Sequence, residues 1–335
     1  MIDTDVLIIG AGPAGTTCAY HLHKNNHSCL LVDCASFPRD KICGGGMTPK
    51  AWKLLEKIYP SLEYDYLPIK RMNLYMDHKF RGCYSLNEEV RVVRRKLFDN
   101  LLLGEYLKEG GRFITDMMLE IKECEEGSVE VSFKSGEKVR CRYLVGADGA
   151  NSRVRKYLNP KTKPGVFIVE QYLESSKKDE ITFELSNSIK QGYYYDFPNK
   201  EFNAVGYCEK KTTKDKFLKL IDSYGITEGK ILGAFIPPTI DYPQHRHIFL
   251  VGDAGCWCDK LSYEGIYFAL ATGYNAAEAI IKGCSFTEAN RKIIARKRHR
   301  NLAATLLYNP LGMGVVKLVS KSKRTTERIL NRYLR

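Results

Sequence analysis

Three glycines and one aspartate near the start of the sequence are spaced for binding a dinucleotide. Gly10, Gly12 and Gly15 follow the apolar run 6–9, and Asp33 ends the next apolar run. Gly10 permits a tight turn, Gly12 lets the backbone approach a pyrophosphate, and Gly15 lets a helix pack closely on a strand. Asp33 is placed to accept hydrogen bonds from an adenosine ribose. A glycine-rich turn without a ligand is the alternative. The predicted phosphate site consists of Gly10, Gly12, Pro13, Ala14 and Gly15.

Two further turns place an acid and a glycine directly after an apolar run. The first contains Asp148 and Gly149, and the second contains Gly252 and Asp253. Both apolar runs predict strands, so each turn follows a strand as the first glycine turn does.

The spacing of apolar residues predicts the elements that hold these turns. A strand over 5–9, a helix over 13–25 and a strand over 29–33 form a βαβ unit. The other predicted elements are a helix over 90–108, a hairpin of strands 128–133 and 138–143, strands with one helix (213–224) over 165–240, a strand over 247–251 and a helix over 264–282.

Composition excludes a disordered or membrane-spanning chain. Of 335 residues, 44% are hydrophobic and 27% are charged, and no run approaches 18 consecutive apolar residues. The first ten residues carry two acids and no basic residue, unlike a secretory signal, so we expect a cytoplasmic protein. The 11 cysteines form no CxxC pair, so we expect reduced thiols and no metal site.

The net charge of +13 is concentrated in residues 285–335, which hold 13 Lys and Arg against two acids. Leucine and valine interleave with these charges at helical spacing. Each basic side chain near anionic lipid contributes about 1 kcal/mol to the free energy of membrane binding. We therefore expect peripheral binding to the anionic inner face of a membrane. Packing on the rest of the chain, with the charges solvated, is the alternative. No nucleic-acid-reading motif accompanies the charge, so we expect no nucleic acid partner.

The three turns, in this order, resemble those of the FAD-dependent flavoproteins of the p-hydroxybenzoate hydroxylase fold. The resemblance covers residue 5 to about 280. It implies that Asp148 and Gly149 lie beside the flavin pyrophosphate, that Asp253 bonds the ribityl chain, and that Arg95 anchors the cofactor. For Arg95, which two other basic residues flank, a solvated helix charge is the alternative.

The segment Cys43, Gly44, Gly45 and Gly46 is similar to a signature of the geranylgeranyl reductase family, whose members saturate isoprenoid double bonds with reduced FAD. The resemblance implies that the glycines let the backbone pass close to the flavin and that the thiol faces it. Cys43 is then either a catalytic residue, through orienting the flavin or delivering a proton, or a small packing residue. Further cofactor contacts are expected from Cys34 and Lys41.

Two later segments are similar to other signatures of that family. Tyr193, Tyr195 and Phe197 match its substrate-cavity signature Tyr-x-Trp-x-Phe-Pro, except that Tyr195 replaces Trp. Gly265 and Ile266 match a third signature, in which two upstream positions differ. The helix that begins there is expected to direct its N-terminus at the flavin.

The resemblance implies an α/β fold class, with a Rossmann-like FAD-binding domain, an interleaved antiparallel-sheet substrate domain and a helical C-terminal tail. The predicted bounds are 1–70, 90–160 and 241–284 for the first domain, 71–89 and 161–240 for the second, and 285–335 for the tail.

The expected function is reduction of C=C bonds in a hydrophobic, isoprenoid-type substrate by hydride transfer from reduced FAD. The alternatives are a class A monooxygenase acting on a small molecule and a flavin-holding protein without turnover. The sequence has no second GxGxxG for a resident nicotinamide domain. The expected electron donor is therefore NAD(P)H, bound transiently, or a ferredoxin-like carrier.

Overall fold

The chain folds around two β-sheets and crosses between them several times. The computed structural model describes residues 1–124, 127–161, 165–175, 178–209, 213–223, 229–237 and 245–335. The first sheet ends in the glycine turns, and the second carries most of the aromatic strands. The α/β fold class predicted from the sequence is confirmed.

The first sheet combines central parallel strands with an antiparallel meander. Its seven described strands are β1 (Ile2–Ile9), β2 (Cys29–Asp33), β6 (Arg112–Thr115), β7 (Met118–Glu123), β8 (Val129–Phe133), β9 (Lys138–Gly146) and β15 (Ile248–Leu250). Strand β1 lies between β2 and β9 and is parallel to both. On the side of β9 away from β1, the beginning of β9 pairs with β8 and its last residues pair with β15. Strands β9, β1 and β15 therefore end side by side.

Alternate side chains of β1 enter two different cores. Val6 and Ile8 pack among helices α1 (Pro13–Lys24), α2 (Pro49–Ile58), α3 (Arg95–Lys108) and α6 (Ile266–Lys282). Leu7 and Ile9 pack against the meander and α4 (Arg153–Leu158). Both faces of β1 are therefore covered, which explains why its sequence is almost continuously apolar.

The second sheet forms a wall beside the first. Its eight described strands, in spatial order, are β14 (Ile231–Ile236), β10 (Val166–Glu174), β13 (Phe202–Glu209), β12 (Tyr193–Pro198), β11 (Glu180–Leu185), β4 (Leu67–Met76), β5 (Lys79–Val92) and β3 (Gly46–Met47). The predicted antiparallel pairing has one exception, because β11 and β4 are parallel. Helix α5 (Lys214–Asp222) packs on this sheet through Phe217 and Ile221.

The helix expected over 90–108 begins only at Arg95, so its predicted start is wrong. Val90 and Val92 belong to β5, where they pair with Ile69 and Leu67 of β4. Both valines are buried in the sheet core, and this tertiary packing overrides the helical spacing of the segment. Strands β4 and β5 extend beyond the predicted 71–89 on both sides, while the division into domains stays a prediction.

The C-terminal segment forms helices α7 (Phe286–Ala289), α8 (Arg291–Leu307), α9 (Pro310–Val319) and α10 (Lys323–Leu334). Helix α10 packs on β5, where the Asn331 side chain accepts from the Asn87 N–H at 2.6 Å and donates to the Ser85 carbonyl at 3.1 Å. No single helix in the described part of the chain is long and apolar enough to cross a membrane. Helices α8 and α9 meet the length and composition needed only as a pair, and they are bent by 92°.

Candidate cofactor site and the adjoining cavity

A cleft of about 740 Å³ opens where the parallel strands of the first sheet end. Its walls come from the turns after β1, β9 and β15, the end of β2 and the start of α6. Most of the predicted cofactor-binding residues line it, although they are far apart in sequence. These are Gly10, Gly12, Pro13, Ala14, Asp33, Cys34, Lys41, Arg95, Asp148, Gly149, Gly252, Asp253, Gly265 and Ile266.

The three glycines of the first turn have different structural roles. Gly10 has φ +106°, and a Cβ there would overlap the Ala147 carbonyl. Gly15 does not line the cleft, and a Cβ on it would overlap the Gly10 carbonyl, as expected of a residue that brings helix and strand together. A Cβ on Gly12 would lie 3.3 Å from Nη2 of Arg39, which also lines the cleft. Because Gly12 has no side chain, the floor of the cleft stays open beneath the Arg39 guanidinium.

Two carboxylates hold the loops around the cleft. Asp33 accepts from the N–H groups of Ala11 at 2.7 Å and Ala35 at 2.9 Å. Oδ2 of Asp148 accepts from the Arg153 N–H at 2.7 Å. Its Oδ1 is buried and has no hydrogen-bond partner among the described residues, and burial raises the pKa of Asp148. This oxygen is left to pair with a group from outside the protein.

Arg95 is a buried part of the site, so the alternative of a solvated helix charge is wrong. Its side chain is 9% exposed and makes two 2.8 Å hydrogen bonds to Asp99. Arg39 also approaches Asp99, at 3.4 Å. Helices α1 and α6 both begin at the cleft without a side-chain cap, so their first amide groups remain free for an anion.

These features fit FAD. The cleft offers an open floor over Gly12, a cation in Arg39, two uncapped helix N-termini and the unpaired oxygen of Asp148. The open floor, the cation and the helix N-termini suit a pyrophosphate group. A hydroxyl or amide donor of the cofactor can form a hydrogen bond to the unpaired oxygen of Asp148. Among the described residues, no cluster of three or more His, Cys, Asp or Glu side chains could hold a metal ion.

A second cavity, of about 420 Å³, adjoins the cleft and is largely apolar. Strands β4, β11 and β12 form one wall, and the last turns of α8 and α10 form another. The two spaces share Lys41, Ile42, Arg95, Ala234, Phe235, Asp253, Gly265 and Ile266. The predicted substrate residues all line this cavity, and so do the catalytic candidate and its glycines: Tyr193, Tyr195, Phe197, Cys43, Gly44, Gly45 and Gly46.

The glycine run at 44–46 packs against an aromatic ring. A Cβ on Gly44 would lie 3.1 Å from Cγ of Phe197, and a Cβ on Gly46 would lie 2.5 Å from its Cε1. Gly45 has φ +75°, and a Cβ there would overlap the Val93 carbonyl. Room for the Phe197 ring is therefore one physical reason for the run, whereas contact of these glycines with the flavin stays a prediction.

Cys43 lies at the boundary between the two spaces. Its Sγ accepts from the Gly45 N–H at 3.4 Å and lies beside the Arg95 guanidinium. Its own N–H donates to Oε1 of Glu170 at 3.1 Å. The thiol is thus held by the backbone of its own loop and by Arg95, and the Cys43 backbone is held by Glu170.

Glu170 on β10 is a site residue that sequence reasoning missed. It is fully buried and accepts the Tyr195 hydroxyl at 2.5 Å in addition to the Cys43 N–H. Burial raises its pKa to about 7, although these hydrogen bonds act in the opposite direction. An acid directly after the apolar run 166–169 was the available signal, but its meaning depends on the neighbouring strands.

Glu264 joins the tail to the loop before α6. It pairs with Lys50 at 2.8 Å and Arg300 at 3.0 Å, and Arg300 also pairs with Asp259 at 3.0 Å. Burial acts to raise the pKa of Glu264, but Lys50 and Arg300 outweigh it and the pKa is lowered. Glu264 is therefore held ionised at the cavity wall.

Comparison with known proteins agrees with this site. Residues 3–167 match the FAD binding domain family model. An uncharacterized protein of Methanosarcina barkeri is 33% identical over 313 residues, which are 89% of this chain and 80% of that protein. Geranylgeranyl diphosphate reductase of Rhodobacter capsulatus is 29% identical over 300 residues, which are 82% of this chain and 74% of that protein.

The fold is also similar to a solved structure. A geranylgeranyl bacteriochlorophyll reductase-like protein of Thermoplasma acidophilum superposes with a TM-score of 0.79 at 20% identity, covering 98% of this chain and 90% of that one. A structural similarity at 20% identity supports the fold alone. The family is supported by the sequence relatives and by the glycine turns that meet at the cleft. The chain belongs to the geranylgeranyl reductase family of FAD-dependent oxidoreductases.

Proposed function

We propose that this protein reduces C=C bonds in a hydrophobic, isoprenoid-type substrate. The observation that carries the proposal is the apolar cavity that opens directly onto the cofactor cleft. Its charged lining residues Lys41, Arg95 and Asp253 lie where the two spaces meet, and Glu264 is neutralised by its ion pairs. The remaining wall suits a chain of methyl-branched carbons.

Three tyrosines of the cavity, Tyr193, Tyr263 and Tyr308, present rings rather than hydroxyls to a substrate. Tyr193 donates to the Ser262 carbonyl, Tyr263 to a backbone carbonyl at 2.7 Å, and Tyr308 to another at 2.9 Å. With these hydroxyls satisfied by the backbone, the lining orients an alkene through apolar contact and excludes water. FAD, when bound in the cleft, supplies the hydride chemistry.

The test is anaerobic oxidation of the reduced holoenzyme by a polyprenyl substrate. Reduced protein is mixed with geranylgeranyl diphosphate without oxygen, and its fully saturated analogue is the matched control. The unsaturated compound should oxidise the flavin and gain two hydrogen atoms per reduced bond by mass spectrometry. Flavin that stays reduced would contradict the proposal, and an oxygen-dependent hydroxylated product would indicate a monooxygenase instead.

For the electron donor we propose NAD(P)H, bound transiently, or a ferredoxin-like carrier. Anaerobic mixing of the oxidised holoenzyme with NADH, NADPH or reduced ferredoxin separates these donors. The physiological electron donor should reduce the flavin at a rate higher than the steady-state turnover rate of the enzyme.

We also propose that helices α8 and α9 hold the protein on an anionic lipid surface. Five exposed side chains form an apolar corner where these helices meet, and Leu311 at its tip is 85% exposed. The apolar corner consists of Leu302, Leu306, Leu311, Val315 and Leu318. Leu307 and Tyr308, beside it, line the cavity, so a lipid chain leaving the membrane would enter close to this corner.

Exposed basic residues on α9, on α10 and in the turn between them complement an anionic surface. They are Lys317, Lys321, Arg324, Arg328 and Arg332. Not all basic residues of the tail face outward, because Lys297 and Arg300 are buried against the loop 256–264. The occupant that fits both the leucines and the charges is a bilayer containing anionic lipid.

Vesicle co-sedimentation tests this surface. The holoenzyme should bind phosphatidylglycerol vesicles at low salt and release at high salt, with weaker binding to neutral vesicles. Replacing Leu311, Val315 and Leu318 by Ser should weaken binding, whereas Leu119→Ser, at an equally apolar exposed position on β7, should not. Absence of binding at low salt would contradict the proposal.

A further inference from the structure

Three residues on adjacent strands of the second sheet form one row. Glu170 on β10 lies opposite Gly206 on β13, and Gly206 lies opposite Tyr195 on β12. A Cβ on Gly206 would overlap the ring of Tyr195. The absent side chain therefore lets the ring cross the middle strand, so that its hydroxyl reaches Oε2 of Glu170 at 2.5 Å.

The carboxyl group of Glu170 is enclosed by polar partners and is shielded from water. Tyr195 faces it from β12, Tyr172 from its own strand, and Cys43 and Lys41 from the loop that precedes β3. Burial raises its pKa to about 7, against the lowering effect of all four neighbours. Near neutral pH this carboxyl therefore exchanges a proton readily while it remains hydrogen-bonded to the phenol.

Three other tyrosines of the cavity and Glu264 are unsuited to giving up a proton repeatedly. Tyr193, Tyr263 and Tyr308 donate to backbone carbonyls, which cannot return a lost proton. Glu264 is held ionised by two cations. Among the described tyrosines that line the cavity, Tyr195 is the one whose hydroxyl is bonded to a titratable carboxyl group.

We propose that Tyr195 and Glu170 together are the acid of the reaction, an inference that rests on the proposed function. Saturation of a C=C bond adds one hydride and one proton, and reduced FAD is the hydride source. With Glu170 protonated, its carboxyl donates to the phenol oxygen and the phenol proton is free to face the substrate; the Tyr195 O–H bond then breaks as a C–H bond forms at the carbon that the hydride does not reach. The carboxyl proton of Glu170 then passes to the phenolate oxygen, which leaves Glu170 as a carboxylate that solvent reprotonates between turnovers. Tyr195 is the catalytic residue and Glu170 acts through it.

Single-turnover kinetics with matched variants test the acid. Reduced Tyr195→Phe and Glu170→Gln holoenzymes are mixed anaerobically with geranylgeranyl diphosphate across pH 5.5 to 8.5. Loss of a general acid is expected to slow flavin oxidation by about 100-fold or more. The wild-type rate should fall as pH rises through about 7, and the Glu170→Gln rate should be flat. Glu184→Gln, which alters a buried carboxyl outside both cavities, should keep the wild-type rate and profile.

Infrared spectroscopy gives a readout that needs no turnover. In the pH 6 minus pH 8 difference spectrum of the oxidised holoenzyme, a protonated carboxyl band should be present in the wild type and in Glu184→Gln. That band should be absent from Glu170→Gln. Wild-type rates in both variants, or no such band, would overturn the proposal. A wild-type enzyme that fails to react with the alkene while showing the band would place the fault in the proposed function.

Discussion

Replacing Glu170 by Gln should make the stability of the protein less dependent on pH. The buried carboxyl has its pKa raised from 4.5 to about 7, so its ionised form is disfavoured in the folded protein. Such a group contributes stability that is complete below about pH 4.5 and is lost as pH rises through about 7. The shift corresponds to about 3 kcal/mol of unfolding free energy between these limits. Gln does not titrate and keeps one acceptor oxygen, for the Cys43 N–H, while its amide N–H₂ group takes the place of the oxygen that faces Tyr195, a loss that does not vary with pH.

Urea denaturation followed by circular dichroism at several values between pH 4.5 and 8.5 measures this difference. The free energy of unfolding of Glu170→Gln, relative to wild type, should increase by about 3 kcal/mol from the lower to the upper pH. Glu137→Gln, at an exposed turn position, is the control and should follow the wild type. A relative stability of Glu170→Gln that does not change with pH would show that Glu170 is ionised normally, and the reasoning about its burial would be wrong.

Three further substitutions test other parts of the site. Gly12→Leu should abolish FAD binding, measured by the flavin-to-protein absorbance ratio, because the side chain enters the cleft beside Arg39; Gly104→Leu, with open space around it, should retain FAD. Cys43→Ala should retain FAD and slow single turnover by less than the about 100-fold expected for loss of the acid; an unchanged rate would assign the thiol to packing. Arg300→Met should lower the free energy of unfolding by about 3 to 5 kcal/mol, because Asp259 and Glu264 lose a buried partner; Lys292→Met, exposed on the same helix, is its control in urea denaturation.

The parts of the site that could be predicted from the sequence are those that depend on local chain geometry. The tight turn at Gly10 and the close packing at Gly15 follow from residue type and spacing, and the structure reproduces both. The resemblance to the flavoprotein fold predicted that Asp148 and Asp253 lie at one cofactor site, and both line the cleft.

The row that joins Glu170 to Tyr195 could not be predicted in the same way. It depends on the register of three strands that are separated by loops of unknown path, and a slip of one residue would turn each side chain to the other face. Gly206 gave no local signal, since its role is to leave space for a ring from the neighbouring strand.

The tail shows a similar limit for charge. Composition alone treats Arg300 and Arg328 as equivalent, yet Arg300 is buried between two carboxylates and Arg328 is exposed on α10. Which cations remain available to a lipid surface is decided by packing against the loop 256–264, not by their number.

Two segments that resemble separate family signatures are physically one unit in this chain. The Phe197 ring fills the space left by Gly44 and Gly46, and the Cys43 N–H shares the Glu170 carboxylate with Tyr195. A change in the strand therefore alters the loop that meets the cofactor cleft, and a change in the loop alters the wall of the apolar cavity. Because the same contacts join the two spaces, the shape of the apolar cavity and the position of the loop 43–46 are set together.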